Sequence, residues 1–292
     1  MFKFKPDRLK IDQVLGRGAF GSVHPYQSNP HDNRWVVKFV YAQNADKLQI
    51  VMQEIVLGFS CDHPAILPIK GFHLETARPI GTNVYIKLPR MKGHLRQVIT
   101  NHQQNKTLIP QDDIVRYFYT MACALEYLHN RRIVHRDIKP ENVLLDFNNQ
   151  ARLSDVGGAK MIGEEESMNL VSDVAGTSLY LAPEVMEKGQ QLKKSDLSLT
   201  DIWSLGVMMV EMVTLLKPVA SMREAEFKRK VGELKGKYNQ NLLDLILSLL
   251  KNKPEQRKNA AELRKSLEAH FGDVLVIWGL GLSYFSIGIK RI

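Results

Sequence analysis

The string His135-Arg136-Asp137-Ile138-Lys139-Pro140-Glu141-Asn142 constrains this chain more than any other stretch. It crowds a carboxylate, an ammonium and an amide into one short loop. Such a set can take a proton from a hydroxyl, neutralise a phosphoryl group in transfer and hold a metal ion.

The chain around that loop changes character along its length. Short strand-like runs come first: Gln13 to Leu15, Ser22 to Tyr26, Trp35 to Val40, Ile66 to His73 and Asn83 to Leu88, punctuated by Gly, Pro and Asn. Pro25 weakens the second, because proline cannot donate to a ladder. One helical stretch, Ala45 to Gly58, interrupts them. After Gly93 the pattern turns helical. Gln111 to His129 places Ile114, Phe118, Met121, Leu125 and Leu128 at helix spacing. Ile202 to Leu216 is apolar nearly all round, as a helix at the centre of a lobe would be. Leu242 to Leu250 and Ala260 to His270 read as two more helices. A strand-rich small lobe therefore precedes a helical large one, joined near Pro89 to Gly93, and such clefts are common ligand sites.

The chain has 292 residues, 44% hydrophobic and 24% charged, enough for two lobes with their own cores. Cys61 and Cys123 cannot build a disulfide framework and read as buried thiols. The opening Met1-Phe2-Lys3-Phe4-Lys5-Pro6 lacks the apolar core of a signal peptide, so an intracellular, cytoplasmic setting is expected. The formal charge of +9 comes from scattered basic residues. No basic-aromatic run marks a nucleic-acid groove, and nucleic acid is not an expected partner.

Gly16-Arg17-Gly18-Ala19-Phe20-Gly21-Ser22-Val23 is glycine-rich, and missing side chains let backbone N–H groups approach phosphate. A plain hairpin turn has the same look. Dinucleotide folds also use GxGxxG, but there a helix follows at once; here the chain continues extended. Lys38 sits in the apolar run Trp35 to Val40, facing either solvent or a cleft, and Glu54 on the next helix can pair with it. Asp155 ends a strand-like run before Gly157-Gly158. It is either a turn residue or, with Asn142, a source of oxygens for Mg²⁺.

In this order the motifs resemble the eukaryotic-type protein kinases, of the serine/threonine class, over Ile11 to about Phe271. The matching elements are GxGxxGxV at Gly16 to Val23, Lys38, Glu54, His63-Pro64, the loop His135 to Asn142, Asp155-Val156-Gly157 in the DFG place, Ala182-Pro183-Glu184, Asp201 to Gly206, and Arg257 opposite Glu184. The resemblance implies an α+β bilobal protein kinase fold. Its N-lobe (about 11–88) is a small antiparallel sheet with one main helix; a hinge follows at 89–93 and a mainly helical C-lobe at 94–271. It implies ATP and Mg²⁺, with transfer of the γ-phosphate to Ser or Thr of protein substrates. Asp137 would orient the acceptor hydroxyl and Lys139 would neutralise the γ-phosphate. Asn142 and Asp155 would hold the metal. Gly16, Gly18, Gly21 and Lys38, backed by Glu54, would hold the phosphates, and Val23, Val36 and Leu144 would sandwich adenine. Lys139 and Thr177 fit the serine/threonine class; a tyrosine-kinase-like affiliation rests on general look. Glu141 could meet an arginine upstream of the acceptor.

The chain also departs from that family. Val156 replaces the DFG aromatic, and Gly58 stands where a large apolar residue is usual. The expectation is a gap between them, or Phe59 turned in to fill it, with the inward position of the helix marginal. A nucleotide-binding pseudokinase is the alternative function. Asp173 stands where many relatives carry a phosphothreonine facing Arg136; it is either a built-in charge or part of a solvated acidic loop with Glu164-Glu165-Glu166. The hinge admits Leu88 or Lys87 at the back of the adenine pocket, and Leu88 is preferred because Lys87 would bury a charge. The apolar tail within 272–292, from Val274 to Ile289, is slightly short for the ~20 residues of a spanning helix. It reads as a membrane anchor, which would place the chain on the cytoplasmic face of a membrane, as a helix packed on the large lobe, or as an atypical end of the reading frame. Oligomeric state is not legible.

Overall fold

The computed structural model describes residues 13–18, 21–26, 32–161, 178–188 and 193–279. In the small lobe, β1 (Gly16–Gly18), β2 (Gly21–Tyr26), β3 (Trp35–Ala42), β4 (Gly71–Thr76) and β5 (Thr82–Pro89) form an antiparallel sheet in the order β1-β2-β3-β5-β4. Helix α1 (Ala45–Ser60) lies between β3 and β4 in sequence, and the Asn44 side chain caps it by accepting from Lys47 N–H at 2.9 Å. Strand alternation decides which side chains meet α1. Val40, Ala42, Val84 and Ile86 pack with Val51 and Ile55 of the helix and with Ile69. Trp35, Val37, Phe39 and Tyr85 gather with Tyr26 on the opposite face.

Two strands differ from the sequence expectation. Pairing begins at Gly16 rather than at Gln13 to Leu15, although Leu15 N–H still donates to Val23 O at 2.8 Å. The glycines themselves are strand residues. Gly21 has φ +137°, and a Cβ there would overlap the Phe39 carbonyl oxygen, so only glycine permits this approach of β2 to β3. Pro25 is tolerated because Val23 turns its carbonyl toward β1 and Pro25, two residues on, faces the same side beyond the end of the β1 pairing. The second difference is Ile66 to His73, of which only the part from Gly71 joins the sheet. Pro68 has no N–H to give. Leu67 N–H donates to Leu153 O at 2.9 Å and Ala65 O accepts from Leu153 N–H at 2.7 Å, so this segment bonds to the large lobe instead.

The large lobe carries β6 (Gly93–His94), α2 (Leu95–Asn105), α3 (Gln111–His129), β7 (Ile133–Val134), β8 (Val143–Leu145), β9 (Ala151–Leu153) and β10 (Lys160–Met161). Then follow α4 (Pro183–Lys188), α5 (Lys194–Thr214), α6 (Glu224–Gly232), α7 (Gln240–Ser248) and α8 (Ala260–Ile277). Strands β6, β8 and β9 form one small antiparallel sheet, and β7 pairs with β10. The five α3 residues at helix spacing are fully buried, and so are Val115, Ala122 and Ala124 between them, because the lobe encloses α3 on several sides.

Helix α5 starts at Lys194, not at Ile202. Its first turns look polar in sequence, but the hydroxyls are spent on carbonyls: Thr200 Oγ1 donates to Leu197 O at 2.7 Å, and Ser204 Oγ donates to Tyr180 O at 2.8 Å. Among the described residues this is the one helix long and apolar enough to cross a membrane, and 83% of that window lies inside the protein, which makes it a core helix. Helix α8 continues past His270 to Ile277 with a non-helical φ of −135° at Phe271. Leu275 is buried in the large-lobe core, and the Arg116 guanidinium lies 4.2 Å from the centroid of the Trp278 ring. The first part of the tail thus packs on the large lobe; 280–292 lie outside the described residues.

His63 marks the junction of the lobes. Its Nδ1 accepts from Ala65 N–H at 3.2 Å, its ring lies 4.9 Å from that of Tyr127, and Tyr127 Oη accepts from Asp62 N–H at 2.8 Å. Burial first, and the positive Arg131 second, push its pKa down to about 4. Between pH 6.5 and 4 the unfolded chain binds a proton at His63 that the folded chain refuses. Stability contributed by neutral His63 is therefore present above pH 6.5 and lost as pH falls toward 4, by up to about 3 kcal/mol. Urea midpoints measured across that window should fall, and His63→Phe should flatten the fall; an unchanged slope in the variant would refute the assignment.

Candidate active site

The β8–β9 hairpin sets the geometry of the site. Val143 stands opposite Leu153, which brings Asn142 and Ser154 to the same end. Ser154 seals that end twice, its N–H and its Oγ both donating to Asn142 O at 2.9 Å. Asp155 comes next, with φ +62°. The Asn142 amide donates to Asp137 Oδ2 at 2.8 Å and to Asp137 O at 2.7 Å. Lys139 Nζ sits 2.6 Å from Asp137 Oδ2.

A buried carboxylate holds this loop from beneath. Asp201 of α5 accepts from His135 N–H and Arg136 N–H, both at 2.8 Å, and bonds His129 Nε2 at 2.9 Å. Burial alone would push its pKa up; the bond from His129 and the donors of His135 outweigh that, and the net shift is downward, so it stays ionised. His135 is fully buried. Its Nε2 lies 2.9 Å from Ser154 O, and its Nδ1 accepts from Asp137 N–H at 3.3 Å, which fixes the tautomer with the proton on Nε2. In the sequence alone Asp201 and His135 stand out only as members of their motifs. The signal for Asp201 was an ionisable residue at the head of an apolar helix, where it must find partners.

From the small lobe, Lys38 Nζ lies 2.6 Å from Glu54 Oε1 and 3.7 Å from Asp155 Oδ1. Burial opposes the Lys38 charge, but the two carboxylates outweigh it and its pKa is raised. A Cβ at Gly157 would come within 2.9 Å of Glu54 Oε2, so the glycine lets the carboxylate of α1 approach the backbone. Val23 stands opposite Lys38, and Val36 opposite Leu88, so all four share one sheet face. Lys87 is on the other face, 4.5 Å from the Trp35 ring centroid and 5.0 Å from that of Tyr26, which leaves Leu88 toward the cleft. Leu144 is half-buried on β8. Among the described residues, a Cβ at Gly16 or Gly18 would meet nothing within 4 Å.

Glu184, on α4, forms a buried two-bond pair with Arg257, both bonds at 2.7 Å, and the guanidinium lies 4.9 Å from the Trp203 ring centroid. Asp173 and Thr177, with Glu164 to Glu166, lie outside the described residues.

The donor set suits a magnesium ion. Asp155 Oδ1 is buried and, among the described residues, accepts no hydrogen bond, with Lys38 Nζ 3.7 Å away. Asn142 uses its amide nitrogen on Asp137, which leaves the amide oxygen as its metal-binding end. No cluster of three or more His, Cys, Asp or Glu able to hold a metal occurs among the described residues. One carboxylate and one amide oxygen are the sparse protein share that Mg²⁺ takes when phosphates complete its shell.

Residues 9–267 match the family described as protein kinase domain. The chain belongs to the protein kinase family. Among curated relatives, the chain is 29% identical over 273 residues to "Aurora kinase" of Saccharomyces cerevisiae, covering 90% of this chain and 70% of that protein. It is 28% identical to mouse "Serine/threonine-protein kinase Nek5", covering 89% of this chain and 40% of the relative. It is 29% identical to rice "Serine/threonine-protein kinase Nek6", covering 88% and 47%. The chain thus spans less than half the length of the two Nek relatives.

One expectation about this kinase domain is corrected. No gap lies beneath α1 at Gly58. A Cβ there would overlap Ile69 Cδ1 and come within 2.8 Å of Ile69 Cγ1, so Ile69 already fills the space. Phe59 does not turn in; it is 45% exposed and meets Phe72 edge-on at 6.0 Å. Val156 is buried in the large-lobe core. Glycine at position 58 is thus matched to Ile69. Gly58→Leu should destabilise the domain by about 1–3 kcal/mol through overpacking, and adding Ile69→Ala should recover much of that loss. Denaturant unfolding of the single and double variants measures the coupling, and strictly additive losses would exclude it.

Proposed function

We propose that this protein kinase domain is a serine/threonine kinase, transferring the γ-phosphate of ATP to hydroxyls of protein substrates. What carries the reading is one continuous set of contacts. Lys38 faces Asp155, Ser154 binds Asn142, Asn142 binds Asp137, and Asp137 pairs with Lys139. Stretches far apart in sequence thus present a cation, two carboxylates, an amide and a second cation to one crevice. The names of the Nek relatives supply the serine/threonine class, and Lys139 agrees with it.

In this reading Asp137 orients the acceptor hydroxyl and takes its proton, while Lys139 neutralises charge on the transferring group. Lys38 holds the α- and β-phosphates, and Glu54 keeps the ammonium aimed. The backbone at Gly16, Gly18 and Gly21 can approach phosphate closely, since at the first two no described residue lies within 4 Å of where a Cβ would be. Val23, Val36 and Leu144 are the apolar walls for adenine. Mg²⁺, held by Asn142 and Asp155, would supply charge neutralisation on the phosphates. Lys38 already rests on Glu54 with α1 inward, which favours an enzyme over a nucleotide-binding scaffold. Thr177, Asp173 and Glu184 belong to the activation segment in this assignment; Glu184 serves through its anchor on Arg257.

Asp137→Asn should lower phosphotransfer to a generic Ser/Thr protein by about a hundredfold or more with nucleotide binding retained, and Lys38→Met should weaken both. Radiolabelled ATP transfer and nucleotide titration read the two effects. Nucleotide binding by the wild type without transfer would reverse the conclusion.

A further inference from the structure

Arg96, at the start of α2, bridges two carboxylates from remote parts of the chain. Its Nε donates to Glu141 Oε1 at 2.8 Å. Its Nη1 donates to Glu211 Oε1 at 2.5 Å, and its Nη2 donates to Glu211 Oε2 at 3.1 Å and to Tyr180 Oη at 2.7 Å. Tyr180 Oη in turn donates to Glu211 Oε2 at 2.5 Å. All three guanidinium nitrogens are therefore engaged. Glu141 lies in the loop of Asp137 and Lys139, and Tyr180 leads into Ala182-Pro183-Glu184, so this cluster borders the path of an acceptor peptide.

The chemistry of the cluster is that of a receptor for a guanidinium. Two carboxylates beside the phosphotransfer loop would ordinarily take up a planar basic side chain in two-pronged fashion. Here the chain supplies that side chain itself. The Glu211 side chain has no solvent exposure, so its charge must be paired within the fold. An incoming arginine would have to displace Arg96 from Glu141 and Glu211, stranding one buried charge to satisfy another.

We propose that Arg96 is a specificity-determining residue: it occupies the acidic pocket from within, and acceptor segments are therefore not selected for a basic residue beside the Ser or Thr. This rests on the kinase reading above and names its substrate class, Ser/Thr sites flanked on this side by neutral side chains. Burial disfavours the Arg96 charge, but its hydrogen bonds to Glu211 and Glu141 outweigh that and its pKa is raised, so the plug stays charged at any working pH.

The test is phosphorylation of a positional peptide library with fixed Ser/Thr acceptors by the wild type, Arg96→Ala, Arg96→Gln and the double variant Arg96→Ala with Glu141→Gln. Asp137→Asn serves as the blank, so absence of transfer by the wild type counts against the kinase reading rather than against the plug. The wild type should show no enrichment for Arg or Lys that depends on Glu141. Opening the pocket should create arginine selection of at least about tenfold in kcat/KM, the size of one charge-assisted hydrogen bond, and Glu141→Gln should erase it. Wild-type selection of basic residues that disappears in Glu141→Gln overturns the proposal. So does loss of turnover in both Arg96 variants without change in peptide preference, which would mark Arg96 as a purely structural strut.

Discussion

The catalytic loop depends on one buried carboxylate. Asp201 is 1% exposed and sits inside an apolar helix, yet accepts from three donors, two of them the backbone N–H groups that open the loop. An ionised acid in such a place is tolerable only while those donors stay in position. The dependence runs both ways: the loop keeps the acid satisfied, and the acid fixes where Asp137 begins. Arg136 adopts φ +70° at this point, a conformation the non-glycine backbone holds only when its surroundings dictate it.

A second constraint fixes the distance between lobes. The segment after α1 bonds to β9 of the large lobe before it enters the small-lobe sheet, and His63 packs beneath it on Tyr127. Helix α1 is thereby tied at its C-terminal end to the lobe that bears Asp155. Ile69, two residues after Leu67 in that segment, covers Gly58. The spacing of Lys38, Glu54 and Asp155 thus follows from a short anchored turn and one glycine contact, with no aromatic at position 156.

Much of this was legible in the sequence. The strand-then-helix order follows from the period of the apolar residues, and the chemistry follows from residue types that few other arrangements would need together. What escaped were features that depend on partners remote in the chain. Ile66 to Pro68 looks like a strand and is extended, but its backbone pairs with Leu153 of the other lobe, which no local pattern announces. The start of α5 looked polar because Thr200 and Ser204 spend their hydroxyls on carbonyls. Gly58 suggested a void because its filler, Ile69, comes from outside the helix. Arg96 gave no signal at all, since its meaning lies in Glu211, far along the chain.

These buried charges share a logic. Asp201, Glu211, and the pair Glu184–Arg257 each join an element of the large-lobe core to a segment that borders the crevice. Ion pairs of this kind contribute little net stability, because desolvation offsets most of the attraction. Apolar side chains of similar size could hold the core as well. They could not dictate where a loop lies to within a hydrogen bond's tolerance, and phosphoryl transfer by positioning and electrostatics needs that tolerance. The directional bonds therefore sit where the core meets the site, while Ile114, Phe118, Met121, Leu125 and Leu128 of α3 are held by packing. On this argument the formal charge of the chain says little about its partners, because the charges that matter are already committed to one another inside the fold.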